Sequence, residues 1–221
     1  MRAAPQYNQW QYRVIAPYLG QRVLEVGSGI GTISAHIMGD ARELVILTDT
    51  DPWYCDRLRS QFGNCARVEL LTLPDPGAAS RFATDKLDTV VALNVVEHIA
   101  DDVGTLATMR EMVVPDGRVI ILVPALEALY GSLDRELGHY RRYTRASLSS
   151  ALTGAGLAVE RLEWFNRVGA LGWWFNSRVR KSSRIPIEQL RLFDAVVPLM
   201  QLEQALPIPF GQSLIAVGKR K

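Results

Sequence analysis

Three glycines within five residues stand where a predicted strand is followed by a predicted helix. Gly27, Gly29 and Gly31 come after Arg22–Val26, a short β-branched and leucine run, and before residues 32–38, which have a helical pattern. Glycine lets the backbone turn tightly and approach a ligand closely. The helix would direct free N–H groups and its positive dipole end at the loop, so that a phosphate or a carboxylate would bind there.

An acidic residue after the next predicted strand narrows the class of ligand. Residues 43–48 form a near-continuous apolar run, which is typical of a strand buried on both faces, and Asp49 follows them. A carboxylate at this spacing from a glycine loop binds the hydroxyls of an unphosphorylated ribose. Thr32 stands where the dinucleotide fingerprint has its third glycine, which argues against a nicotinamide cofactor. Glu25 either touches the ligand or only orders the loop, and Asp51 is mainly a helix cap.

Two further groups of titratable residues follow later predicted strands. Glu97 and His98 come just after the fourth strand, and residues 130–143 follow the fifth. In the second group, His139 could act as a general base because its unperturbed pKa lies near neutrality. Arg141 and Arg142 could bind a carboxylate or a phosphate of an acceptor. In the alternative interpretation these arginines pair with Asp134 and Glu136, and His139 bonds to the backbone. The sequence leaves both open.

Strand and helix patterns alternate along the chain and would position these residues. The predicted strands are 22–26, 43–48, 66–71, 87–93, 118–123, 158–164 and 213–218, and the predicted helices are 32–38, 52–62, 101–112 and a helix capped by Thr144 that ends at residues 154–156. A turn is expected at residues 115–117, because proline fixes φ and glycine frees it. This alternation predicts an α/β fold with a parallel, doubly wound sheet and right-handed crossovers.

Four motifs in this order resemble the class I S-adenosylmethionine-dependent methyltransferases of the small-molecule, ubiquinone-methyltransferase-like group. They are EVGSGIG at 25–31, TDTDP at 48–52, LDTVVALNVVEHI at 87–99 and VVPDGRVIILVP at 113–124. The resemblance covers residues 22–165, and the last strand also fits. It implies a Rossmann-like fold with a seven-stranded, mostly parallel sheet whose last strand is antiparallel.

The resemblance also implies which residues bind S-adenosylmethionine. The glycine loop would hold the methionine portion, the second strand would end at the ribose, the segment after the third strand would lie near the adenine, and the end of the fourth strand would line the reacting side. The cofactor-binding residues expected on this basis are Glu25, Gly27, Ser28, Gly29, Gly31, Thr32, Asp49, Thr50, Leu73, Asn94 and Val95. The family often has an acid near the adenine, and here either backbone contacts or Asp75 would take that place.

The same resemblance bears on metal binding. In ubiquinone-type O-methyltransferases a similar E-x-x-E-H stretch is associated with a metal site. In this chain Asn94 replaces the first glutamate of that stretch. We therefore predict no metal, and expect Glu97 and His98 to cap the following helix or to face the pocket.

The acceptor side is predicted from aromatic and basic residues outside the glycine loop. An N-terminal helix would cover the cofactor, with its aromatic residues closing a lid or only anchoring the helix. The acceptor-binding candidates are Tyr7, Trp10, His98, Tyr130, Arg141, Arg142 and Tyr143. Residues 166–211 are apolar and interrupted by prolines, which predicts one or two helices over the sheet edge or over a pocket. Residues 173–174 and 192–200 would form a pocket wall or a homodimer face, in preference to membrane contact.

Composition sets limits on the remaining possibilities. The chain has 221 residues, of which 48% are hydrophobic and 22% charged, with a net charge of +2. That length suits one domain, and so small a charge does not predict nucleic-acid binding. We expect a single methyltransferase domain at 1–221, with a lid helix at 1–21, a cofactor-binding core at 22–165, a helical insertion at 166–211 and the last strand at 212–221.

The chain is expected to be cytoplasmic. Cys55 and Cys65 form no C-x-x-C pair and have no nearby histidine, so we interpret them as reduced thiols. Residues 1–10 hold no apolar run, which predicts no signal peptide. No stretch approaches the roughly 20 apolar residues that a transmembrane helix requires.

The predicted reaction is methyl transfer from S-adenosylmethionine to a small-molecule acceptor, with S-adenosylhomocysteine as product. It would proceed by in-line displacement, and the acceptor, an O-, N- or C-nucleophile, could be anionic. Two alternatives stay open at this point: an NAD-dependent oxidoreductase, and a noncatalytic protein that only binds S-adenosylmethionine.

Overall fold

A seven-stranded sheet organises the structure. A computed structural model describes residues 4–174, 187–205 and 208–221. The strands are β1 (Arg22–Val26), β2 (Leu44–Asp49), β3 (Arg67–Leu70), β4 (Leu87–Leu93), β5 (Val113–Pro124), β6 (Leu157–Phe165) and β7 (Ser213–Arg220). Their order across the sheet is β3-β2-β1-β4-β5-β7-β6. Strands β1 to β5 pair in parallel, and β7 runs antiparallel to both β5 and β6. The predicted α/β sheet with an antiparallel last strand is confirmed.

Helices cover both faces of this sheet. In the described part of the chain they are α1 (Pro5–Ile15), α2 (Ser34–Ile37), α3 (Pro52–Phe62), α4 (Ala78–Phe82), α5 (Asp102–Met112), α6 (Ser132–Glu136), α7 (Arg145–Gly154), α8 (Arg167–Trp174) and α9 (Ile187–Met200). Successive residues of β5 enter different apolar clusters: Ile121 packs with α4, α5 and α7, whereas Ile120 packs with α1, α2, α3 and α9. This alternation is expected of a strand buried on both faces.

Local side chains fix the starts of three helices. The carboxylate of Asp51 accepts a hydrogen bond from Trp53 N–H at the start of α3, and Pro52 occupies the first helical position. Asp101 accepts from Gly104 N–H at the start of α5, and Thr144 accepts from Ser147 N–H at the start of α7. The predicted helix-capping roles of Asp51 and Thr144 are confirmed.

Two elements differ in length from the sequence prediction. Helix α2 is only four residues long, because residues 29–33 form turns that carry the backbone out of the left-handed conformation of Gly31. Strand β5 is longer than expected and includes the predicted turn at residues 115–117. There the register shifts, since Leu87 pairs with Val113 but Thr89 pairs with Arg118, and the extra residues form a bulge.

One or two helices were predicted in the insertion before β7, and its described part contains α8, α9 and a 3-10 segment at Gln201–Ala205. Parts of it, residues 175–186 and 206–207, lie outside the described residues, as do residues 1–3 of the predicted lid. The Asp194 carboxylate of α9 accepts hydrogen bonds from the N–H groups of Gln6 and Tyr7 at 3.3 and 2.9 Å. Helix α9 therefore caps the N-terminus of α1, whose own N-cap, Ala4, has no side chain able to do so.

None of the helices in the described ranges is both long enough and apolar enough to cross a membrane.

Candidate functional site

The glycine loop between β1 and α2 leaves an open space, called the cradle below, beside its middle glycine, Gly29. Gly27, Gly29 and Gly31 all have positive φ, at 69°, 54° and 78°. A Cβ on Gly27 would lie 2.6 Å from Cγ2 of Val95, so this glycine allows the loop to pack on the segment after β4. Around Gly29, none of the described atoms lies within 4 Å of the corresponding point. The loop backbone is therefore accessible at Gly29.

Asp49 lies beside this cradle, at the carboxyl end of β2. Its Oδ2 accepts from Gly29 N–H at 2.8 Å, and its Oδ1 accepts from Asp51 N–H at 3.0 Å. An ionised carboxylate offers about four lone-pair positions, so these two bonds leave room for two hydroxyl donors. The buried Asp49 is thus fixed in orientation and still able to bind a diol.

Glu25 lies beneath the loop. Its carboxylate accepts a hydrogen bond from the hydroxyl of Ser34, at the start of α2. Burial raises the pKa of Glu25 to about 7, although hydrogen bonds from Ser34 and Ser28 act in the opposite direction. Glu25 therefore connects β1 to α2, which is the loop-ordering role considered from the sequence; its predicted contact with a ligand stays a prediction.

The other predicted cofactor residues lie along the carboxyl edge of the sheet. Ser28 N–H donates to Thr48 O at 2.9 Å, and Thr32 lies half-buried in the turns that follow. The hydroxyls of Thr50 and Thr72 are 2.8 Å apart, and the buried Leu73 follows β3. Asn94, at φ 55°, donates its N–H to Leu122 O, and Val95 packs against Gly27. The ends of β1, β2 and β4 thus lie side by side at the carboxyl edge of the sheet, where open α/β sheets bind ligands.

A cluster of Glu97, His98 and His139 lies immediately beyond Val95. Glu97 and His98 belong to a 3-10 turn, Val96–His98, and Tyr140 N–H donates to Glu97 O at 2.8 Å, which brings His139 alongside. One possible ligand atom from each of the three side chains lies within 4.8 Å of the other two. Burial raises the pKa of Glu97 to about 8, while burial and the neighbouring His139 lower the pKa of His98.

Asp134 is the centre of a buried network behind this cluster. Its Oδ1 lies 3.0 Å from Nδ1 of His139 and accepts from Nε of Arg142 at 2.7 Å, and its Oδ2 accepts from Gly131 N–H. Burial alone would raise the pKa of Asp134, but the bond from His139 and the charge of Arg142 lower it overall. Arg142 also donates to Ala125 O at 2.8 Å. Pairing of an arginine with Asp134 was one of the two interpretations considered from the sequence, whereas the contact of His139 with the same carboxylate was not predicted.

The remaining acceptor candidates after β5 also have partners. Arg141 forms an ion pair with Asp102 at 2.9 Å and donates to Ala100 O, and the hydroxyl of Tyr143 donates to the same carboxylate. Tyr130 donates its hydroxyl to His139 O at 2.8 Å. Of the two interpretations, pairing of the arginines with acids agrees better with these contacts, with Asp102 instead of Glu136 as the partner of Arg141.

Tyr7 and Trp10 on α1 are buried in an aromatic cluster. The ring of Trp10 lies 4.4 Å from that of Phe165, and the ring of Tyr7 lies 5.5 Å from that of Phe193 on α9. Burial raises the pKa of Tyr7 to about 12. Both side chains anchor α1, whereas Tyr12 on the same helix stacks on His36 of α2 at 5.4 Å. Helix α1 therefore lies against the short helix that follows the glycine loop.

Comparison with known proteins adds an independent finding. A family model described as a methyltransferase domain matches residues 9–162. A curated protein, the highly reducing polyketide synthase GPY1 of Gibberella fujikuroi, is 26% identical over 158 residues, which are 67% of this chain and 6% of that protein. The chain thus spans only a small part of the length of this relative.

Two solved structures show the same fold. A SAM-dependent methyltransferase from Archaeoglobus fulgidus superposes with a TM-score of 0.64 at 19% identity, covering 98% of this chain and 94% of that one. Magnesium protoporphyrin IX methyltransferase from Synechocystis PCC 6803, with bound SAH, superposes with a TM-score of 0.61 at 13% identity, covering 99% and 84%.

Proposed function

Because this chain belongs to the class I S-adenosylmethionine-dependent methyltransferases, we propose that it methylates a small-molecule acceptor by in-line displacement. The observation that carries the proposal is the opening over Gly29, beside which the carboxylate of Asp49 is held in orientation. Val95, which packs against Gly27 of the same loop, leads directly into the turn that carries Glu97 and His98. One side of this opening suits the cofactor and the other suits the acceptor.

The residues around the glycine loop fit S-adenosylmethionine. The open space over Gly29 suits close approach of the methionine portion to the backbone, and Asp49 retains the lone pairs needed for the two ribose hydroxyls. In this proposal Thr50, Leu73 and Asn94 would lie near the ribose, the adenine and the reacting methyl group, respectively. When bound, the cofactor supplies a methyl group that is already activated, so the protein needs chiefly to orient the acceptor and to exclude water.

In this proposal the cluster of Glu97, His98 and His139 promotes loss of the acceptor's proton, with His139 as the candidate general base when no metal is bound. The cluster follows Val95, which packs on the glycine loop, so it borders the side on which the acceptor must approach. Arg141 and Arg142 act on the acceptor less directly in this proposal, because each is already paired with a carboxylate. They keep residues 139–143 in place against the turn that carries Glu97 and His98.

The small size of the acceptor is supported by charge and by the names of related proteins. A net charge of +2 on 221 residues provides little general attraction for nucleic acids. The Synechocystis neighbour is by name a methyltransferase of magnesium protoporphyrin IX, and the Gibberella relative is a polyketide synthase. Both names point to small organic molecules.

We also propose that the chain is a single cytoplasmic domain. The strands of one sheet extend from Arg22 to Arg220, which supports one unit. Cys55 and Cys65 are free thiols, which supports a reducing compartment.

The acceptor class is tested by label transfer. Purified protein is incubated with methyl-labelled S-adenosylmethionine and an extract of the source organism, which is then separated into a small-molecule filtrate, protein and nucleic acid. We expect enzyme-dependent label in the filtrate, and at least tenfold less of it with Asp49→Asn. Label in protein or nucleic acid alone would contradict the small-molecule assignment.

A further inference from the structure

Two of the chain's three histidines converge on one buried glutamate. His98 follows Glu97 directly, whereas His139 comes from the segment after α6 and is brought to Glu97 by the hydrogen bond from Tyr140 N–H to Glu97 O. The possible ligand atoms of all three lie within 4.8 Å of one another. This convergence is made by the tertiary fold and is absent from the local sequence pattern.

Among the described residues, the buried carboxylate of Glu97 meets no hydrogen-bond donor from another residue. Its side chain is 0% exposed. The nearby Arg142 directs Nε at Asp134 and Nη1 at Ala125 O instead. Burying a carboxylate without such compensation costs several kcal/mol, so the arrangement suits a cation that binds between Glu97 and its neighbours.

Both histidine rings form hydrogen bonds with groups outside the cluster. Nδ1 of His139 lies 3.0 Å from the fully buried Asp134, which leaves Nε2 as the second ring nitrogen of this oriented imidazole. The ring of His98 is hydrogen-bonded to the backbone of Gly138 and Leu137. Metal-binding histidines characteristically have such partners, a carboxylate or a backbone carbonyl, on the nitrogen that does not bind the metal.

The donor set favours a metal of the zinc type over magnesium or calcium. Two imidazoles and one carboxylate are the protein ligands of open, three-ligand zinc sites, whereas Mg²⁺ and Ca²⁺ prefer oxygen ligands alone. Zinc–ligand bonds are about 2.0–2.1 Å long, so two donor atoms of a tetrahedral zinc site lie about 3.4 Å apart. The donor atoms of this cluster lie within 4.8 Å of one another, so the widest pair would need to approach by up to about 1.4 Å. His98 is the exposed member of the cluster, so this closure would come chiefly from movement of its ring.

We propose that Glu97, His98 and His139 bind a divalent transition metal of the zinc type and leave a coordination position open towards the acceptor. In this proposal His139 supplies the third ligand, in place of the glutamate that Asn94 replaces in the sequence motif. The catalytic consequence rests on the proposed function: a cation here would lower the pKa of an approaching acceptor hydroxyl, which would lose its proton to water. As the new O–C bond forms, the methyl–sulfur bond breaks and S-adenosylhomocysteine leaves.

The experiment is a calorimetric titration of the full chain, stripped with a chelator, with Zn²⁺ alone. We expect one Zn²⁺ per chain, and an affinity lower by about 100-fold or more in Glu97→Gln and in His139→Gln. His36→Gln is the matched control, because His36 is the third histidine and stacks on Tyr12 away from the cluster. Both cysteines remain in all variants, so that any zinc they bind is common to all.

Thermal unfolding distinguishes a variant that has lost zinc binding from one that has only lost stability. In chelator, the melting temperatures of the wild type and of Glu97→Gln give the stability of each protein without metal. Added Zn²⁺ should then raise the melting temperature of the wild type and of His36→Gln, but not that of Glu97→Gln.

Equal Zn²⁺ affinity in wild type and Glu97→Gln, or no binding by the wild type, would overturn the inference. S-adenosylhomocysteine binding is measured on the same samples. Zinc binding without it would retain the metal site and refute the proposed function, and the reverse result would refute only the metal site.

Discussion

Glu25 illustrates how a single residue under the glycine loop couples stability to pH. Its pKa is raised from 4.5 to about 7, chiefly by burial. Between these values the folded protein binds a proton that the unfolded chain has released. The resulting stabilisation is complete below about pH 4.5 and is lost as the pH rises through 7.

Glu25→Gln should therefore gain stability relative to the wild type as the pH increases. The free energy of unfolding of the wild type minus that of the variant should fall by up to about 3 kcal/mol between pH 5 and pH 8. Urea denaturation at a series of pH values measures this difference. Glu127→Gln, at an exposed position, is the control. A difference that stays constant with pH would show that Glu25 is not buried as described.

Substitution of Gly29 tests ligand binding by the loop without causing a steric clash within the folded protein. Gly29 has positive φ, and a Cβ there would enter open space. Gly29→Ala should cost about 1–2 kcal/mol in stability from backbone strain alone, and should also weaken S-adenosylhomocysteine binding, because the methyl group fills the cradle. Gly138→Ala is matched to it, with φ +74° and equally open surroundings. Similar losses of affinity in both variants would argue against a cofactor over Gly29.

At the residue scale, the sequence predicted those site residues whose role depends on local spacing. The glycine loop and Asp49 lie at fixed distances from strand ends, so their pattern is readable and the structure brings them together. The contact of His139 with the turn of Glu97 depends on a hydrogen bond between distant segments. The importance of Asp134 likewise arises only when α6 and residues 139–142 fold against each other.

At the scale of elements, the cap that α9 provides for α1 makes a specific prediction. Asp194→Ala removes the acceptor of the hydrogen bonds from Gln6 and Tyr7 N–H. We expect a loss of about 1–2 kcal/mol in the free energy of unfolding, together with faster amide exchange at the start of α1. Glu188→Ala, an exposed acidic position on the same helix, is the control. Unchanged exchange in Asp194→Ala would refute this cap.

Helix and strand positions were predictable where caps and apolar runs are strong. β4 has the predicted bounds, and Asp51 and Thr144 cap the predicted helices. The length of α2 was not predictable from periodicity, because the left-handed glycines before it determine where helical hydrogen bonding begins. The extension of β5 depends on pairing with β4 and β7, which local sequence does not specify.

At the scale of the whole molecule, the order of the strands places the functional residues. β1 lies between β2 and β4, so the glycine loop, Asp49 and the segment of Asn94 and Val95 meet at one edge. From β1 the chain continues through β2 to β3 on one side of β1, and then returns to β4 on the other side, which makes this edge the switch point where α/β proteins bind ligands. The alternation of strands and helices predicted the doubly wound sheet, whereas the antiparallel last strand was expected only from the family resemblance and the strand order was not predicted.

The most direct test of the central claim is calorimetric titration of the wild type, Asp49→Asn and Asp51→Asn with S-adenosylmethionine, S-adenosylhomocysteine and NAD. Asp51→Asn makes the same charge change two residues away, at the cap of α3. We predict that the wild type and Asp51→Asn bind the first two ligands and that Asp49→Asn binds them at least tenfold more weakly. Tighter binding of NAD, or equal binding by Asp49→Asn and the wild type, would contradict the assignment of the glycine loop and Asp49 to S-adenosylmethionine.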